Sequence, residues 1–152
     1  MSADPGSVYD DDVSIPDSER LFRMVNDGSV HWDNDTVRAT TAAFRDPSER
    51  RLSDQGYPAV AVSVFLESEM NHHEIAPDDL RAQWGDGYGV VSITAGQARQ
   101  EGQGVVRAPR PENPAHGMIF VKAGSKKTKG QSRALARHST IVIAPPPPEG
   151  RD

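Results

Sequence analysis

His116 is the residue in this chain with the best setting for chemistry. It ends the proline-rich run Ala108, Pro109, Arg110, Pro111, Glu112, Asn113, Pro114, Ala115 and opens the apolar run Gly117, Met118, Ile119, Phe120, Val121. A histidine at such a junction sits where loops converge, and there an imidazole can serve as general base or bind a phosphate or carboxylate. The same setting suits a histidine that only tethers its loop by hydrogen bonds. Both readings stay open, because a base needs a positioned partner and none is visible in the sequence.

Arg23 lies inside the apolar stretch Leu21, Phe22, Met24, Val25. An arginine there is paired, snorkels, or faces a ligand anion, and a structural salt bridge is the plainer expectation. With Thr40 or Thr41 and one of Glu67, Glu69 and Glu74, it traces the outline of an ADP-ribosyltransferase-like site. The catalytic candidates are therefore His116, Arg23 and Thr41, which must meet in one cleft for an enzyme reading to hold.

His72, His73 and Glu74 raise a metal reading. Adjacent side chains diverge on a helix and on a strand alike, so zinc would need further ligands, such as His31. A polar turn is expected instead, with no metal and no cofactor. The absence of cysteine excludes disulfides, thiolate metal sites and thiol catalysis.

Charge is unevenly spread. The net charge is -5, yet Lys122, Lys126, Lys127, Lys129, Arg133 and Arg137 follow one another without an intervening acid. Residues 124–130 are rich in glycine and lysine but lack the spacing of a phosphate-binding P-loop. Lys126, Lys127, Lys129, Arg133 and Arg137 remain candidates for salt-sensitive polyanion binding, although no aromatic residue stands among the lysines to stack bases. A solvated basic loop is the plainer reading.

The elements that must position these residues are short. Residues 20–25 fit a strand or a helical turn, residues 36–44 lean to strand, and Val60, Val62 and Val64 alternate as a strand does. Residues 77–85 carry a proline and acids at one end and glycine at the other, the signals of a short helix. Residues 89–94, 116–121 and 140–144 read as strands, and residues 95–102 and 131–138 as helices. This order predicts an α+β fold, with a small mixed sheet and short helices in a single domain over residues 16–145. The acidic head, residues 1–15, and the proline-rich tail, residues 146–152, are expected to be disordered. No apolar run is long enough to span a bilayer and no signal-peptide pattern is present, so the expected location is cytoplasmic.

The layout of Leu21-Phe22-Arg23, Ala42-Ala43-Phe44-Arg45-Asp46, Leu52-Ser53, residues 87–99, Val105-Val106-Arg107 and Glu112-Asn113-Pro114-Ala115-His116 resembles a set of small uncharacterised bacterial proteins, in actinomycetes and other bacteria. The resemblance runs from Arg20 to Pro145, implies one domain and carries no activity.

Three functions are expected from these residues. The first is an accessory domain contacting a protein partner, for which Trp32 and Trp84 are candidate interface anchors. The second is a small nucleotide- or nucleic-acid-acting enzyme or toxin-like effector using His116, Arg23 and Thr41. The third is polyanion binding through residues 122–137, with nucleic acid as the partner.

Overall fold

The computed structural model describes residues 11–44, 61–121 and 128–147. The fold is α+β. A six-stranded sheet is built from β1 (Arg20–Val25), β4 (Ala61–Leu66), β5 (Gly89–Thr94), β6 (Gly104–Arg107), β7 (His116–Phe120) and β8 (Thr140–Ile143). Its order is β6-β7-β4-β1-β5-β8. A separate hairpin joins β2 (Val30–Asp33) to β3 (Thr36–Ala39), turning at Asn34, whose φ of 57° suits a two-residue hairpin loop. Where mixed pairing was expected, every neighbouring pair in the sheet is antiparallel. The strand alternation in the sequence does not encode direction, and no parallel pair arises from the connections that form.

Alternation along the strands divides the core between the two faces of the sheet. Leu21, Val25, Val62, Val64, Val91 and Ile93 belong to one buried cluster, together with Ala95, Ala98 and Leu135 from helices α3 (Ala95–Gln100) and α4 (Lys129–His138). Phe22, Phe65 and Val90 belong to the other, with Met70 of α1 (Glu67–His72) and Leu80 of α2 (Pro77–Trp84). Helices thus cover both faces, which is why β5 is apolar on both sides rather than alternating.

The helix ends follow from local chemistry. In α2, Pro77 stands in the first turn, the Asp79 carboxylate accepts the Ala76 N–H at 2.8 Å, and Gly85 closes the helix at φ +121°. Thr94 and Gln97 cap α3 reciprocally, as Thr128 and Gln131 cap α4. No helix among the described residues is long and apolar enough to cross a membrane.

The expectation of disorder through Ile15 does not hold for Asp11 to Ile15; residues 1–10 lie outside the described residues. Ile15 is fully buried in the core. Asp12 N–H donates to the Val105 carbonyl at 2.8 Å, and the Asp11 carboxylate accepts the Val105 N–H at 2.9 Å. The head therefore runs along β6, the outer strand of the sheet, where it occupies main-chain groups of that edge. Arg99 pairs with Asp11 at 3.0 Å and Asp17 at 2.7 Å, and Arg107 with Asp12 at 2.8 Å. Acids that repel in isolation are ordered here by two arginines far along the chain.

Candidate functional site

The site begins where two strands part. β1 pairs with β4 only at Leu21–Leu66 and Phe22–Phe65, although it stays paired with β5 along its whole length. Arg23 bridges the opening. Its Nε donates to the Ala43 carbonyl at 2.7 Å and its Nη1 to the Ser63 carbonyl at 2.9 Å. Two of its contacts are thus with main-chain carbonyls, which suit a guanidinium's planar fork.

On the other side of β4 lies β7, in a register that sets Phe65 opposite His116 and Ser63 opposite Met118. Ser63 and His116 are consequently diagonal neighbours on one face of the sheet, within reach of a ring. His116 Nε2 lies 3.0 Å from the Ser63 hydroxyl, and Nδ1 lies 2.8 Å from the Ala108 carbonyl. A carbonyl only accepts, so Nδ1 carries a proton. In the neutral ring Nε2 then holds a lone pair, and Ser63 Oγ–H is its donor.

The loop before β7 is tied down from both ends. Arg110 and Asn113 exchange main-chain hydrogen bonds at 3.1 and 2.9 Å, and the Ala108 N–H donates to the His116 carbonyl at 2.9 Å. The imidazole is buried, at 4% exposure, with its ring edge-on to Phe65 at 5.9 Å between centroids. Burial is the main cause that lowers its pKa below the ordinary histidine value; the Ala108 carbonyl and Glu112 oppose this, and Arg110 reinforces it. His116 is therefore neutral at pH 7.

These residues line a cleft of about 1070 Å³. Arg23, Ser63, Arg110 and His116 stand in its wall, and Phe65, Trp84 and Tyr88 give it aromatic surface. Trp84 stands edge-on to Phe65 at 5.6 Å and is 43% exposed, so it forms a rim rather than core. Asn113 is 5% exposed and donates to Gln83 Oε1 at 3.3 Å, while its own Oδ1 is buried without a partner among the described residues. A buried acceptor left unmade is costly.

His116 and Arg23 thus share one cleft, two of the three side chains that the enzyme reading requires to meet. Thr41 does not line it; it opens the 3-10 turn Thr41–Phe44, whose Ala42 and Ala43 do. The glutamates of the ADP-ribosyltransferase-like outline are elsewhere. Glu67 pairs with Arg20 at 2.9 Å, Glu69 faces Arg107 at 3.5 Å, and Glu74 lines a separate groove beside α1 and α2. That outline is therefore not assembled. The reason is topological: β4 continues directly into α1, which carries these side chains away from Arg23.

His72 and His73 stack edge-on at 4.9 Å at the end of α1, and His31 is exposed on the hairpin. Among the described residues no group of three or more potential ligands could hold a metal ion. Lys122, Lys126 and Lys127 lie outside the described residues. Lys129, Arg133 and Arg137 fall on the exposed side of α4, while Ser132, Leu135 and Ala136 face inward. Trp32 is half-buried and packs against the core from the hairpin.

Ser63 was not legible as a site residue. In sequence it is a serine between valines, the ordinary polar position of an alternating strand. Only the pairing of β4 with β7 reveals its partner, 53 residues away. No family model matches the chain, and no curated protein or solved structure matches it.

Proposed function

We propose that this domain binds a small organic anion carrying a flat ring, held in the cleft between β1, β4 and the loop before β7. The observation that carries the reading is the convergence of Arg23, Arg110, Trp84 and Tyr88 in one cleft. Its volume of about 1070 Å³ suits a small ligand. The guanidiniums of Arg23 and Arg110 in its wall suit an anion. Trp84 and Tyr88 offer a ring surface. Nucleotides and aromatic carboxylic acids share this chemistry.

Among the described residues the large exposed apolar side chains are Val13 and Trp84. Trp84 belongs to the cleft and Val13 stands apart from it, so the cleft is a better carrier of function than a flat protein-binding face. The test is a fluorescence titration of the Trp32→Phe protein, in which Trp84 alone reports. Nucleoside monophosphates form one arm, aromatic carboxylates a second, and neutral nucleosides and aromatic amides a third. Saturable change with an anionic arm and none with the neutral arm is expected. Equal response to neutral compounds, or no response in any arm, would overturn the reading.

A second reading is favoured by α4. Lys129, Arg133 and Arg137 recur every four residues on its exposed side, the spacing of one helical face. Such a ridge suits the phosphates of a nucleic acid, independent of sequence. Binding to duplex and single-stranded oligonucleotides should weaken as salt rises; binding with no salt slope, or none at low salt, would remove it.

A further inference from the structure

We propose that Ser63 is a catalytic nucleophile and His116 its general base, cleaving a carboxylic ester that carries the anionic ring bound in the cleft. The inference rests on the ligand reading above, because both use one cleft. It stands on three contacts in sequence: Ser63 Oγ to His116 Nε2 at 3.0 Å, His116 Nδ1 to the Ala108 carbonyl at 2.8 Å, and Arg23 Nη1 to the Ser63 carbonyl at 2.9 Å. Nucleophile, base and a group that orients the base are the parts that activated serine needs. Here a main-chain carbonyl replaces the usual carboxylate. It fixes the tautomer and favours the imidazolium, though with less charge.

The step balances without any further reagent than water. Ser63 Oγ bonds to the ester carbonyl carbon as Nε2 takes the hydroxyl proton, and the carbonyl electron pair moves onto oxygen. Return of that pair breaks the carbon–oxygen bond to the alcohol, which leaves with the proton from Nε2. A water then attacks the acyl–Ser63 ester, giving its proton to Nε2, and collapse returns that proton to Ser63 and frees the acid. Ester and water become acid and alcohol. Arg23, which donates to the Ser63 carbonyl, brings a positive charge to the wall of the cleft beside the nucleophile, where it favours the developing oxyanion.

Among the described residues, the charged and titratable groups that share the cleft with the imidazole are Arg110 and Glu112 from its loop, Arg23 from β1 and Tyr88 after α2. A fluorophosphonate tests the pair directly, since it phosphonylates activated serines. The full chain is treated across pH 5 to 9 and the adduct is located by peptide mass spectrometry. One adduct at Ser63 is expected, absent in Ser63→Ala and formed about 100-fold more slowly in His116→Asn. In the unmutated protein its rate should rise with pH below about 6.5 and then level. This second readout stands even if His116→Asn fails to fold. Labelling elsewhere, no labelling, or a rate indifferent to His116→Asn in a folded protein would overturn the proposal. Anion binding at Trp84 without labelling would leave a binding protein and remove the catalysis; labelling without anion binding would do the reverse.

Discussion

Replacing His116 by alanine separates a histidine that holds the cleft together from one that merely fills it. The substitution removes two hydrogen bonds, to Ala108 and Ser63, and the edge contact with Phe65. Each neutral hydrogen bond contributes about 0.5–1.5 kcal/mol net, and an aromatic pair about as much. The sum is about 3 kcal/mol, before any penalty for the stranded Ala108 carbonyl. In a domain of this size that lowers Tm by roughly 6–12 °C. Urea unfolding should show the midpoint falling at an unchanged slope, by roughly 1–2 M. His116→Asn is the informative companion. Its amide nitrogen takes the place of Nδ1, so it keeps the Ala108 bond and should lose only about half as much, roughly 1.5 kcal/mol. A loss below about 0.5 kcal/mol for His116→Ala would show that neither tether matters in solution. Equal losses for the two variants would show that the Ala108 bond is not the anchor.

Gly117→Ala should be among the most damaging single-methyl changes, because its Cβ would meet Leu66 Cδ1 and lie 2.7 Å from the Val106 carbonyl oxygen in the β6–β7 ladder. A cost of about 1–3 kcal/mol is expected, read as a drop in Tm, and an unchanged Tm would refute the packing described. Stability should also fall with pH near neutrality. Burial lowers the native pKa of His116, so the unfolded chain binds the proton first, and stability present above about 6.5 is lost as pH drops through that value towards the native pKa. Denaturant titrations at pH 7.5 and 5.5 should show this slope, and His116→Asn should flatten it. Asp12 works at lower pH: the Ser14 hydroxyl and Arg107 hold its carboxyl below the ordinary value, so its contribution is present above about 3.9 and is lost as pH falls further. Faster hydrogen exchange of the Val105 amide below that pH, with little change above it, is the expected sign that the head has left β6.

Much of the fold is written locally. Val62 and Val64 mark β4 by alternation, Pro77 and Gly85 bracket α2, and Thr94 with Gln97 starts α3, all through interactions within a few residues. Strand direction is not local, which is why antiparallel pairing could not be separated from mixed pairing. The site shows the same division. His116 stood out because its loop and strand are contiguous in sequence, whereas Ser63 depends on the register of β4 against β7. Arg23 was legible as an anomaly but not as a brace, because the carbonyls that receive it come from Ala43 and Ser63. The acidic head read as disordered for a related reason. Its ordering partners, Arg99 and Arg107, lie 82 to 95 residues away.

The protonation of one ring tests the account most directly. Nitrogen-15 NMR of the histidine side chains at pH 7 distinguishes a neutral ring protonated at Nδ1 from one protonated at Nε2 and from an imidazolium. A neutral His116 with its proton on Nδ1 is predicted, leaving Nε2 as the acceptor of the Ser63 hydroxyl 3.0 Å away. A proton on Nε2 at pH 7, in either form of the ring, would contradict it.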